Sequence, residues 1–230
     1  MCTGFVHKGN DVIVGYNLDL AINAFDYKVL KRKDYFGVSI KVGSTSYFTH
    51  GVRSDGSFAN LPYMNGGLLG QYRRSKDCCR LDILVNQYLR GKITFKNILE
   101  TYQKRLIVNA PHYSMHSLFL SPNDDIMILE PGLGYQLIKE NYAIITNFPL
   151  LMTLPDYSNP WYGKDRYDKG LKILQSASQD FSMKEALKLL QETSQKGDYG
   201  TRLSFAYSKN LHSVYYCLEG DFTSVNVFHF

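Results

Sequence analysis

Cys2 offers the chemistry with the widest reach in this chain. The sequence opens Met1-Cys2-Thr3-Gly4-Phe5 and continues to Gly15-Tyr16-Asn17-Leu18-Asp19. Methionine aminopeptidase removes a methionine that precedes a small side chain, so Cys2 is expected to become the mature N-terminus. One residue then carries a thiol, with a reference pKa of ~8.5, and an α-amine at ~7.7–8.0. Near neutral pH that amine is partly unprotonated and can take the thiol proton. Nucleophile and general base then reside on one residue. Such a site works only if its remaining parts follow downstream in a sensible order.

The other candidates for chemistry are poorer. His7, His50, His112, His116, His212 and His229 show no metal-ligand spacing, and strand or loop packing is the expectation for them. Cys2, Cys78, Cys79 and Cys217 form no CxxC or Cys/His pattern, and adjacent Cys78 and Cys79 cannot readily bond each other. A reduced, cytoplasmic protein without a metal or organic cofactor is expected. No Gly-x-Ser-x-Gly elbow supports a serine triad. The run Gly66-Gly67-Leu68-Leu69-Gly70 lacks the lysine of a phosphate loop and reads as a flexible loop near the pocket.

The elements that must carry these residues follow from composition and period. At 230 residues the chain can bury one sizeable core, and a single domain over 1–230 is expected. The 18 Tyr and 13 Phe favour strands and an aromatic-lined pocket. The net charge of +5 is spread along the chain, and Lys31-Arg32-Lys33 and Arg73-Arg74-Ser75-Lys76 read as solvated loops, which argues against a nucleic-acid partner. The first 25 residues show no signal-peptide pattern. No apolar run approaches the ~20 residues of a membrane span.

Strand-like runs cover 11–16, 36–42 and 45–49, followed by a Gly-, Asn- and Pro-rich stretch over 51–70. The period then becomes helical over 81–89, ending at Gly91, and again over 94–107. Strands return at 116–120, 126–129, 135–138 and 142–146, spaced as an antiparallel meander. After a loop over 148–162 come helices at 164–176 and one capped by Ser182 with Glu185 three residues on. Strands at 202–207, 213–218 and 225–230 finish the chain. Strands, two helices, strands, two helices, strands is an α+β order. Two packed antiparallel sheets with helices outside would bury it.

With these motifs in order, the chain resembles the choloylglycine hydrolase and penicillin V acylase group of N-terminal-nucleophile (Ntn) hydrolases. The likeness extends to their shorter relatives of the acyl-CoA:6-aminopenicillanic acid acyltransferase type. It rests on Met1-Cys2-Thr3, on Gly15-Tyr16-Asn17-Leu18-Asp19, on Ile144-Ile145-Thr146-Asn147-Phe148-Pro149, on Asp165-Arg166-Tyr167, and on Ser213-Val214-Tyr215-Tyr216-Cys217-Leu218-Glu219. The resemblance implies an αββα four-layer sandwich and cleavage of a linear, non-peptide amide in a small N-acyl substrate. It implies Cys2 as nucleophile and base, Asp19 as the carboxylate that orients the amine, Asn147 as an oxyanion donor and Arg166 as the cation near the thiolate. A second oxyanion donor, a backbone N–H, would fall near Tyr63 to Asn65, with Asn60 and Asn65 both open. Tyr16, Tyr63 and Asn65 are expected to contact substrate. The resemblance leaves a homo-oligomer open. One departure stands out: Tyr16 occupies the position where the family carries arginine. Arg202 or Arg53 could substitute, or the chain could be a weakened relative that binds an amphipathic ligand; acyl transfer to another amine is a third reading.

Overall fold

The computed structural model describes residues 2–21, 25–65, 69–152 and 162–230. Met1 and most of the glycine-rich and proline-containing loops, at 66–68 and 153–161, lie outside them.

The first sheet is built around strands β1 (Cys2–Lys8) and β2 (Val12–Asp19). A turn through Gly9, Asn10 and Asp11 joins them. Both strands are buried along almost their whole length. Successive side chains point to opposite faces. Val6, Val14, Tyr16 and Leu18 enter the core between the sheets, while Phe5 and Ile13 pack beneath helices.

The second sheet contains β3 (Tyr27–Arg32), β4 (Tyr35–Val42), β5 (Thr45–Arg53) and β6 (Phe58–Ala59). The short β7 (Cys78–Arg80) leads into helices α1 (Leu81–Leu89) and α2 (Phe95–Lys104), and β8 (Leu106–Val108) follows. Next come β9 (Ser117–Leu120), β10 (Ile126–Glu130), β11 (Gly134–Ile138) and β12 (Tyr142–Ile145). Helices α3 (Lys164–Ser176) and α4 (Met183–Glu192) precede β13 (Thr201–Ser208), β14 (Ser213–Leu218) and β15 (Asn226–His229). Among the described residues the strands order as β12-β1-β2-β13-β14-β15 and β11-β10-β9-β6-β5-β4-β3, antiparallel throughout.

Three clusters separate the layers. Phe36, Val52, Phe58, Leu118 and Ile128 meet Val6, Tyr16 and Phe205 between the sheets. Phe48, Phe119 and Met127 face α1 and α2, while Ile144 and Ala206 face α3 and α4. The expected αββα sandwich of two antiparallel sheets is therefore observed. The caps agree with the sequence too: Ser182 and Glu185 form a reciprocal capping box on α4.

Several elements differ from the reading of the sequence, which placed no strand at Cys2–Lys8 or Cys78–Arg80. The helix expected over 94–107 stops at Lys104, and Leu106–Val108 instead pairs parallel with Cys78–Arg80. Leu-Ile-Val is a strand composition, and burial of Ile107 and Val108 outweighs one more helical turn. The meander holds for β9, β10 and β11, but β12 crosses to the other sheet and pairs with β1. Lys31 and Arg32 end an edge strand, where charge discourages unwanted pairing. Lys31 also sits over the Tyr216 ring, 4.5 Å from its centroid. Among the described residues no helix is long and apolar enough to cross a membrane.

Candidate active site

The crossover of β12 is what builds the site. Its pairing sets Ile145 opposite Gly4, and the chain leaves the strand as Thr146-Asn147 beside Cys2. The Cys2 main-chain N–H donates to Asn147 Oδ1 at 2.8 Å. The Arg166 guanidinium joins the same group: Nη2 donates to Asn147 Oδ1 at 2.8 Å, and Nη1 donates to the Cys2 carbonyl at 2.6 Å and to Thr3 Oγ1 at 3.0 Å. A guanidinium has only donors, so the Asn147 atom facing it is the oxygen. The amide nitrogen is thereby turned the other way, where Nδ2 donates to the Tyr63 carbonyl at 2.6 Å.

Asp19 closes the cluster from the end of β2. It is fully buried, and its Oδ2 lies 3.4 Å from Arg166 Nη1. Thr201 Oγ1 donates to Oδ1 at 2.6 Å and Gln195 Nε2 to Oδ2 at 2.7 Å. Burial raises the carboxyl to about 6, against the pull of the Thr201 hydrogen bond, the Arg166 charge and Gln195. Cys2, Asp19, Asn147 and Arg166, spread over the whole sequence, therefore meet in one hydrogen-bonded group.

Arg166 reaches inward because of how α3 begins. The residue before the helix is Gly163, at φ +86°, a left-handed conformation that glycine adopts freely. A Cβ there would stand 2.7 Å from Arg166 Nη2 and 3.0 Å from Thr146 Oγ1. Glycine thus leaves the guanidinium its passage. Arg166 does not pair with its helix neighbour Asp168, which is taken by Lys164.

The segment expected to supply a second oxyanion donor is narrowed by its hydrogen bonds. The Met64 N–H goes to Ser114 O at 2.9 Å and the Asn65 N–H to the Asn147 main-chain carbonyl at 2.7 Å. Of residues 63–65, Tyr63 retains a main-chain N–H that no other described group takes up. Its side chain is exposed and that of Asn65 is part-buried. Asn60 is fully buried; Leu118 N–H donates to its Oδ1 at 3.0 Å, and its Nδ2 has no partner among the described residues.

The thiol itself is enclosed. Cys2 is 5% exposed, and burial pushes its thiol up from the usual cysteine range, with the nearby Tyr16 hydroxyl and Asp19 main chain pulling weakly the other way. Neither cation expected to replace an arginine at position 16 is engaged here. Arg53 pairs with Asp55, and Arg202 pairs with Glu219.

Several supporting residues gave no sequence signal. His116 and Glu130 are fully buried and bonded, Nδ1 to Oε1, at 2.9 Å. His116 Nε2 donates to the Thr146 carbonyl at 2.9 Å, and Glu130 accepts from the main chain of Leu150 at 2.8 Å and Leu151 at 2.9 Å. The pair thus grips the chain on both sides of Asn147. His116 lies 14 residues from Glu130 in sequence and only the β9–β10 hairpin register brings them together. Gln195 and Thr201 were equally silent, because each matters only through Asp19.

No protein-family model matches the chain, and no curated protein sequence is significantly similar to it. Solved structures are similar. A mutant of the conjugated bile acid hydrolase from Clostridium perfringens superposes with a TM-score of 0.74 at 10% identity, covering 100% of this chain and 92% of that one. Penicillin V acylase from Agrobacterium tumefaciens gives 0.64 at 13% identity, over 98% and 84% of the two chains. The Caenorhabditis elegans ortholog of N-acylethanolamine-hydrolyzing acid amidase gives 0.53 at 15% identity, over 91% and 94%. At these identities the likeness shows the fold, which is that of the Ntn hydrolases.

Proposed function

We propose that the protein is a cysteine amidohydrolase that cleaves the linear C–N bond of a small N-acyl amide. The observation that carries this reading is the cluster on Cys2: its nitrogen and carbonyl are both held, by Asn147 and Arg166, around a buried thiol. Removal of Met1 frees the Cys2 amine. The amine takes the thiol proton, and the sulfur attacks the substrate carbonyl. The second Asn147 Nδ2 hydrogen and the Tyr63 main-chain N–H stabilise the oxyanion, each donor contributing a few kcal/mol, about 2.7–4 in measured cases. The Cys2 ammonium protonates the leaving amine, and water then resolves the thioester with the amine again as base. Asp19 keeps that amine aimed, and Arg166 fixes Asp19, Asn147 and the Cys2 main chain relative to one another. Tyr63 and Asn65 line the approach of the acyl group. The three similar structures, named for hydrolysis or acyl removal, support amides as the substrate class.

A screen of N-acyl amides against processed protein tests the reading. Release of free amine and carboxylic acid in equal amounts is expected from at least one member. Absence of turnover across acyl amino acids, acyl ethanolamines and acyl anilides would remove the proposal.

The pH profile has a defined acid side. Asp19 acts as a carboxylate and burial raises it to about 6, so its protonation should add a second acid limb to kcat/KM near that pH, below the one that the Cys2 amine sets at its ordinary ~7.7–8.0. Below it the fall should steepen by a further tenfold per unit, and Asp19→Asn should remove that second limb together with most of the activity. Stability responds in the opposite sense. The folded carboxyl lies above its ordinary 3.8, so protonation favours the fold; that contribution is complete below 3.8 and is lost as pH rises through about 6. A pH–rate profile with its second acid limb near 4 would contradict the role given to Asp19.

A further inference from the structure

We propose that the Tyr16 hydroxyl is the hydrogen-bond donor that holds the Cys2 thiolate, and that His50 is the positioning residue that keeps this hydroxyl available. The inference deepens the reading of Cys2 as nucleophile and rests on it.

The strand register sets the geometry. Cys2 pairs with Leu18, and Gly4 pairs with Tyr16, across β1 and β2. Cys2, Gly4 and Tyr16 therefore share the face that looks into the core between the sheets. Gly4 brings no side chain to that face. A Cβ there would stand 3.3 Å from Tyr16 Cδ2 and 2.1 Å from Asn60 Nδ2, so the bare glycine is the floor on which the Tyr16 ring lies. Tyr16 is 0% exposed and packs in the same core cluster as Cys2, which places its hydroxyl near enough to the thiol to favour the thiolate.

The protons can be assigned from His50. The Leu61 main-chain N–H donates to His50 Nδ1 at 3.0 Å, so Nδ1 carries no hydrogen. Burial holds the ring neutral, down to about 3. The single ring hydrogen of neutral imidazole is then on Nε2. That nitrogen lies 3.4 Å from the Tyr16 oxygen and, being protonated, cannot accept from it. The His50 ring stacks on Tyr16, centroids 4.5 Å apart and planes 22° from parallel, which holds the phenol in place. The hydroxyl proton is left for the sulfur. Burial also lifts the Tyr16 phenol well above its ordinary range, with the Cys2 thiol adding to the rise, so it stays protonated wherever Cys2 ionises.

The arrangement solves a problem of charge. A cation buried at this position would need its own counter-charge and hydrogen bonds to offset desolvation. A phenol donates to the thiolate without being charged. The chain thus keeps a donor beside the nucleophile at a site where no described cation bonds the sulfur.

The test reads the thiol directly. The pH dependence of iodoacetamide alkylation at Cys2, followed by peptide mass spectrometry, is measured in wild type and Tyr16→Phe. The phenylalanine keeps the ring, the stack and the packing. Loss of one hydrogen bond to a charged acceptor should move the midpoint up by about one pH unit, roughly tenfold less thiolate at fixed pH. Cys217, which burial raises to about 11, serves as the internal control and should not move. Site-specific 3-fluorotyrosine at position 16, a stronger donor of nearly the same shape, should shift the midpoint downward; this arm decides the matter if Tyr16→Phe does not fold. An unmoved midpoint in the folded variant, or a fluorotyrosine protein indistinguishable from wild type, overturns the inference. The readout needs no substrate, so it separates the two claims. A shifted midpoint with no Cys2-dependent turnover keeps the contact and removes the enzyme reading, whereas Cys2-dependent turnover with an unmoved midpoint does the reverse.

Discussion

Replacing Cys2 with alanine is expected to abolish amide turnover while leaving the fold in place. Deleting the nucleophile removes the covalent route entirely, and losses of about 10⁵-fold or more are usual for such changes. The oxyanion donors alone cannot compensate, because they act on an intermediate that no longer forms. The structural cost is small. Cys2 enters the fold through main-chain pairing with Leu18 and through its own N–H and carbonyl, all of which alanine keeps. Deleting one small buried group costs about 1 kcal/mol. Kinetics on the best amide together with a thermal melt separate the two effects. A Cys2→Ala protein with wild-type turnover would put the chemistry elsewhere.

The second large effect is expected at Arg166. This side chain is 5% exposed and bonds the Cys2 carbonyl, Thr3, Asn147 and Asp19. Arg166→Ala takes the guanidinium away from the buried Asp19 carboxylate and leaves the Asn147 oxygen with one donor fewer. Breaking a buried ion pair by removing one partner costs about 3–5 kcal/mol, so a clear fall in Tm is expected. Turnover should fall about 10²–10³-fold as Asn147 loses its fixed orientation. Arg166→Lys distinguishes geometry from charge. Lysine supplies the charge but not a planar fork reaching several acceptors at once, so it should recover part of the stability and little of the rate. A lysine variant with full activity would show that only the charge matters.

Where these residues sit in the fold decided which of them could be read from sequence. The elements that depend on local composition were legible: β2, β4, α1, α3, the Ser182–Glu185 cap on α4 and the closing strands stand close to their expected bounds. The motif residues Cys2, Asp19, Asn147 and Arg166 were also legible, and the fold brings them together. What was not legible depends on pairing between distant segments. Nothing in Tyr142–Ile145 says that it leaves the meander for the other sheet, yet that crossover puts Asn147 beside Cys2. The grip of His116 and Glu130 on the Asn147 segment exists only through the β9–β10 register. Tyr16 stood out as a departure, but its partner could not be foreseen, because His50 reaches it from the other sheet. The split of 63–65 into engaged and available N–H groups likewise requires knowing which carbonyls lie opposite.

The central claim is that the sulfur of Cys2, on a chain relieved of Met1, carries the acyl group between the two halves of the reaction. Acid-quenched intact-mass spectrometry during turnover of an N-acyl amide tests this most directly. The account predicts a species lighter by one methionine and heavier by the acyl group, with the adduct on the Cys2 peptide and its loss matching product release. Turnover by protein that still carries Met1, or an acyl group found on any other side chain, would contradict it.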